Sequence, residues 1–215
     1  MPPLEYGMIQ KPLLRGHFHQ AAFFFSLGAG LMLILKSQNM TATLASSVYT
    51  FSLVFLFGTS SLYHRVNWET EKRKWMKRLD HSAIYILIAG TFSPICLLAL
   101  PESTGKNLLI TIWSVALLGV LQSLFYVQAP KWLSATLYLM AGYLILPFVM
   151  ELKNSIGPIN LAWLVCGGLA YTIGALCYAI KRPTLNPAIF GYHEVFHLLV
   201  IFGAICHFIV IYNVI

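Results

Sequence analysis

Residues 189–214 read IFGYHEVFHLLVIFGAICHFIVIYNV, and this stretch decides the class of the molecule. It is long and apolar enough to cross a bilayer, which takes about 20 residues of helix. Yet its opening turns hold His193, Glu194 and His197, and its second half holds His207. Ionisable groups inside a span are costly and tend to be functional. The remaining sequence has to explain both the lipid environment and what meets these histidines.

The whole chain shares this character. Of its 215 residues, 58% are hydrophobic and only 10% are charged. A soluble domain carries about 25% charged residues, so this chain cannot cover itself with polar surface. Lipid is the expected solvent, and the length suits one domain, residues 1–215. The net charge of +7 does not point to nucleic acid, because no basic stripe interleaves with exposed aromatics. Cys96, Cys166, Cys177 and Cys206 all fall in apolar runs and form no C-x-x-C pair, so they read as small core residues and not as a disulfide framework. No small-residue cleavage site follows the first apolar run, so the N-terminus does not read as a removed signal peptide.

Working outward from residues 189–214 gives six further candidate spans. They run from His19 to Leu35, Thr43 to Tyr63, Ser82 to Leu100, Leu108 to Val127, Trp132 to Met150 and Ile159 to Ile180. The breaks between them carry Asn39, Pro101 to Gly105, Pro130, Asn154 to Pro158 and Pro183 to Pro187. The expected fold is all-α, a polytopic bundle of seven transmembrane helices, since a helix satisfies its own backbone in lipid.

Charge sets the direction. Lys11, Arg15, Arg65, Lys72, Arg73, Lys74, Lys77, Arg78, Lys131, Lys181 and Arg182 fall on one side, and Lys36, Lys106 and Lys153 on the other. Lys and Arg are retained on the cytoplasmic side. The N-terminus is therefore expected in the cytoplasm and the C-terminus outside, in a multi-pass protein of the plasma membrane.

The unusual polar residues gather on that same side. His64 ends the second span, Asp80 opens the third, and His193 and His197 lie in the first turns of the seventh. The side was assigned from Lys and Arg alone, so the agreement is independent. His193 and His197 are spaced i, i+4 and share a helix face, as do Ser60 and His64. Three imidazoles plus water form the open ligand set of a catalytic zinc, although imidazole also suits copper, iron and nickel. Asp80 could bind the ion directly or hydrogen-bond its water. His207 lies ten residues past His197, about 15 Å along a helix, and reads as a packed or hydrogen-bonded residue. His81 points about 100° away from Asp80 and reads as interfacial, as do His17 and His19. Residues 193–197 also spell H-E-x-x-H, in which the glutamate is general base of a zinc protease. That match is short, and Glu194 could equally face the membrane interface.

Three segments carry a resemblance. They are Ser60-Ser61-Leu62-Tyr63-His64, then Asp80-His81-Ser82-Ala83-Ile84-Tyr85 continuing through Ile88-Ala89-Gly90-Thr91 to Pro94, then His193 to His197 continuing to Cys206-His207-Phe208. In these motifs and in span count, order and length, the chain resembles the bacterial hemolysin III proteins. Those belong to the progestin and adiponectin receptor family, within a superfamily that includes alkaline ceramidases. The resemblance implies zinc on His64, His193 and His197 in the cytoplasmic leaflet, Asp80 holding or orienting the zinc's water, and Ser60 beside them. It also implies that the position of Glu194 is not reserved for an acid. The first span departs from the pattern. Where bacterial relatives tend to carry a Glu, an Asn and a Ser-His-Gly, this chain has His19-Gln20, Phe23 and Ser26-Leu27-Gly28. Ser26 and Gly28 read as helix-packing residues.

The expected function is zinc-dependent hydrolysis of a membrane-lipid amide or ester, with Asp80 as general base and Ser60 donating a hydrogen bond. The alternative is a non-catalytic protein of membrane homeostasis or signalling, with zinc tying spans two, three and seven together. A cytolysin or an ion carrier ranks lower, because no span carries a polar stripe.

Overall fold

The computed structural model describes residues 12–186 and 188–215; Lys11 and Pro187, used above for topology and for a break, lie outside them. Seven α-helices follow in order: α1 His17–Lys36, α2 Met40–Arg65, α3 Thr70–Leu98, α4 Glu102–Phe125, α5 Lys131–Gly142, α6 Val149–Ile180 and α7 Tyr192–Val214. A 3-10 segment, Tyr143–Phe148, joins α5 to α6. Among the described residues there is no strand, only an isolated bridge between Asn186 and Phe190.

By length and composition, six helical stretches could cross a membrane. The expected fifth and sixth spans both fall inside one of them, the 50-residue stretch Lys131–Ile180. Drawn straight, it would run about 75 Å, against a hydrocarbon layer of about 30 Å. The sequence breaks it in two places. Pro147 lies in the 3-10 segment, where its missing N–H removes a helical bond. Gly157, before Pro158, takes φ 78° and ψ 166°, a conformation that glycine adopts without a Cβ penalty. The expected break at Asn154 to Pro158 therefore narrows to one non-helical residue. The third helix also differs from expectation. It begins at Thr70, not near Ser82, so Asp80 lies almost three turns inside α3 and does not open it. Its charged first turns, Glu71 to Lys74, extend the helix beyond the apolar run that marked the span.

α3 is the central helix, packed against α2, α4, α5 and α7. Two apolar cores flank it. Tyr85, Ile112, Leu152 and Val210 anchor one, and Leu33, Tyr49, Leu56 and Ile211 the other. Small residues let the helices close. A Cβ on Gly90 would come 2.2 Å from Ser52 Oγ, which draws α3 against α2, and one on Gly30 would come 2.1 Å from Thr50, which draws α1 against α2. Large apolar side chains such as Phe25, Leu35, Phe125 and Ile159 are exposed, as lipid-facing residues are.

Candidate metal centre

Each end of the cluster is set by local sequence. Asn39 caps α2 by accepting from Ala42 N at 2.9 Å, and Ser60 and His64 follow one turn apart near its other end. α7 begins at the N-cap Gly191, whose N–H donates to Glu194 Oε2 at 2.7 Å, the glutamate's half of a capping box. That cap fixes the turn carrying His193 and, one turn later, His197.

The three histidines converge. His64, His193 and His197 are all buried, and one nitrogen or another from each lies within 4.8 Å of those of the other two. His64 Nε2 and His193 Nε2 are 3.0 Å apart. Ring centroids are 4.5 Å apart for His64–His193 and His193–His197, and 5.0 Å for His64–His197, with planes crossed by 61–65°. Two nitrogens on one tetrahedral zinc stand about 3.3 Å apart, given Zn–N bonds of about 2.05 Å. The set is therefore close to the size that a single ion needs. Neutral imidazole is the metal-binding form, and three converging rings make a consistent donor set. His193 Nδ1 and His197 Nδ1 have no hydrogen-bond partner among the described residues.

Asp80 reaches the cluster from α3, its Oδ2 3.6 Å from His64 Nε2. Ser60 is buried beside the same carboxylate. All five residues proposed for the site thus come together where the end of α2 and the start of α7 meet α3 almost three turns in.

Glu194 resolves an alternative that the sequence left open. It does not face the interface but is fully buried, ion-paired to Arg15 and held by the Gly191 N–H. Both carboxylate oxygens are committed to the cap and the guanidinium, and its side chain is not among those of the histidine cluster. The H-E-x-x-H spelling therefore describes a capping residue between two clustered histidines.

His19 overturns an expectation. Far from an interface residue, it is buried, and its ring stacks on His197 with centroids 3.8 Å apart and planes 10° apart. Neither of its ring nitrogens has a partner among the described residues. Gly16 explains the approach. At φ 80° it caps α1, and a Cβ there would meet His64 Cβ at 2.9 Å. The signal was present in the sequence, since His19 shares the depth that marked the other three. His207 behaves as expected, with its ring nitrogen 3.1 Å from the Leu164 carbonyl. His17 is exposed, and His81 is half-buried outside the cluster.

The cluster opens onto a cavity of about 590 Å³ that extends between α3, α5, α6 and α7. Asp80, Ser60 and the three histidines line it together with apolar side chains such as Leu146, Val149 and Val165.

The chain also matches known proteins. The family model for haemolysin-III related proteins covers residues 8–208. Hemolysin-3 of Bacillus cereus is 31% identical over 199 residues, spanning 91% of this chain and 88% of that protein. The hemolysin-3 homolog of Bacillus subtilis is 29% identical over 203 residues, spanning 93% and 92%. The human monocyte to macrophage differentiation factor is 26% identical over 181 residues, spanning 82% and 73%. With this match over nearly its whole length, and with its apolar helices, the chain belongs to the haemolysin-III related family of multi-pass membrane proteins.

Proposed function

We propose that this protein is a zinc-dependent hydrolase of a lipid amide or ester, working at the cytoplasmic leaflet. The observation that carries the reading is the meeting of three buried imidazoles and a carboxylate in the lining of a largely apolar cavity. In the same reading, residues 1–215 form one domain of seven crossings with a cytoplasmic N-terminus. The length of Lys131–Ile180 and its break at Gly157 support two crossings there.

His64, His193 and His197 hold the ion. Zinc on three imidazoles supplies a water of pKa about 7 and Lewis acidity toward a carbonyl. Asp80, beside His64, accepts the proton of the attacking water as general base. Ser60 donates a hydrogen bond to Asp80 or to the carbonyl oxygen as it gains charge. The apolar cavity walls take the acyl chain, which positions the scissile group at the cluster.

The test is metal analysis of purified protein together with an acyl-amide and acyl-ester hydrolysis assay. His197→Ala is expected to lose both metal and turnover. Turnover by metal-free protein would end the hydrolase reading. A second reading, zinc as a structural tie without catalysis, draws on the direct approach of Asp80 to His64, which would orient a ligand without any substrate. It predicts that Asp80→Asn leaves folding and phenotype intact.

A further inference from the structure

The basic residues on the histidine side do not all play one part. Orientation in the membrane needs only that they lie in the loops and flanks. Within residues 65–78, however, Arg73 and Lys77 line the cavity while Arg65, Lys72, Lys74 and Arg78 do not. Arg73, Lys77 and Asp80 are spaced i, i+4 and i, i+3, so they form one stripe on α3. Lys77 lies about 5 Å and Arg73 about 10 Å along the axis from Asp80, toward the helix start. Lys131, at the start of α5, lines the cavity as well and joins Arg73 in the electrostatic surroundings of Lys77.

Among the described residues, none of Arg73, Lys77 and Lys131 pairs with a carboxylate, whereas Lys72 pairs with Glu69 at 3.0 Å and Lys74 with Glu71 at 2.7 Å. Arg15, the other cation lining the cavity, is already committed to Glu194. Lys131 is also held in place: its Nζ is 2.6 Å from Tyr192 Oη and lies 4.5 Å above the Tyr178 ring. Lys77 and Lys131 are both half-buried, and like charges lining one cavity are unfavourable until an anion joins them.

We propose that Lys77 and Lys131 form a subsite for the anionic headgroup of an acyl lipid, so that the substrate carries a phosphate or carboxylate beyond its scissile bond. This rests on the hydrolase reading for the position of that bond. The acyl chain occupies the apolar cavity, the amide or ester meets Asp80 and the histidines, and the anion sits one to two turns farther out.

The test is a binding measurement, independent of turnover. Purified protein is equilibrated with mixed micelles holding phosphatidylglycerol and phosphatidylcholine with the same acyl chains, and the retained lipid is quantified by mass spectrometry. The expected preference for phosphatidylglycerol is about tenfold, in line with the attraction of individual lysines for anionic lipid. Lys77→Gln alone should cut it several-fold, and Lys77→Gln with Lys131→Gln should bring it close to parity. Lys72→Gln removes the same charge from the same side, off the cavity, and should leave the preference unchanged. Equal retention of both lipids by the unaltered protein, or an equal loss in Lys72→Gln, would overturn the subsite. Displacement of phosphatidylglycerol by equimolar inorganic phosphate would overturn the lipid assignment in favour of a soluble anion. Lost turnover with the preference intact counts against the hydrolase reading alone.

Discussion

Helix α7 carries histidines in both halves, buried in the first and half-buried in the second, and they do different things. His197, in the second turn, meets two other imidazoles and a fourth ring stacked upon it. His207 meets a backbone carbonyl, that of Leu164, in a slot kept open by Gly167, where a Cβ would come 2.4 Å from the ring. The same residue type on the same helix is a candidate ligand in one place and, in the other, a packing residue bonded to a carbonyl. The lesson is that an imidazole on a membrane helix reports on its partners: convergence of several such rings marks a candidate site, and a lone accepting carbonyl marks packing.

Substitutions can break or sharpen that contrast. The largest effect is expected for His197→Ala, which should take bound metal from about one ion per chain to near zero, read by elemental analysis. Next is Asp80→Asn, which should keep the metal while lowering turnover by about 10²- to 10⁴-fold, the range of a lost general base. His207→Ala should leave metal content unchanged and cost about 2 kcal/mol of stability, from a lost hydrogen bond and a small cavity, measured by thermal unfolding in detergent. The smallest effect belongs to Glu194→Gln. Its side-chain oxygen still accepts from Gly191, so stability should fall by about 1 kcal/mol and turnover should stay within about threefold. A hundredfold loss of turnover in Glu194→Gln would restore the protease reading of H-E-x-x-H.

Much of this was legible in the sequence, because lipid imposes simple rules. Apolar length marked the helices, and the depth of His64, Asp80, His193 and His197 marked the cluster before any geometry was known. What escaped depends on tertiary contact. Glu194 was ambiguous in isolation, since its burial needs Arg15 from the far end of the chain. His19 looked interfacial because its stacking partner lies on α7. In α1, Ser26 donates back to the Phe23 carbonyl at 2.8 Å, and Gly28 has nothing within 4 Å of a built Cβ. The close approach expected at Gly28 occurs instead at Gly30, against Thr50. Helical spacing alone does not distinguish those glycines, because the neighbouring helix decides which one is used.

The contact between His64 and His193 joins residues 129 positions apart, and that between Arg15 and Glu194 joins residues 179 apart. At ordinary synthesis rates, the ribosome reaches the final helix on the order of 10 s after completing the second. During that interval a nascent chain already has most of its bundle but only one of its three clustered imidazoles. The histidine cluster therefore cannot assemble before α7 is made, and a polypeptide stalled ahead of that helix would enter the bilayer with one imidazole of the three.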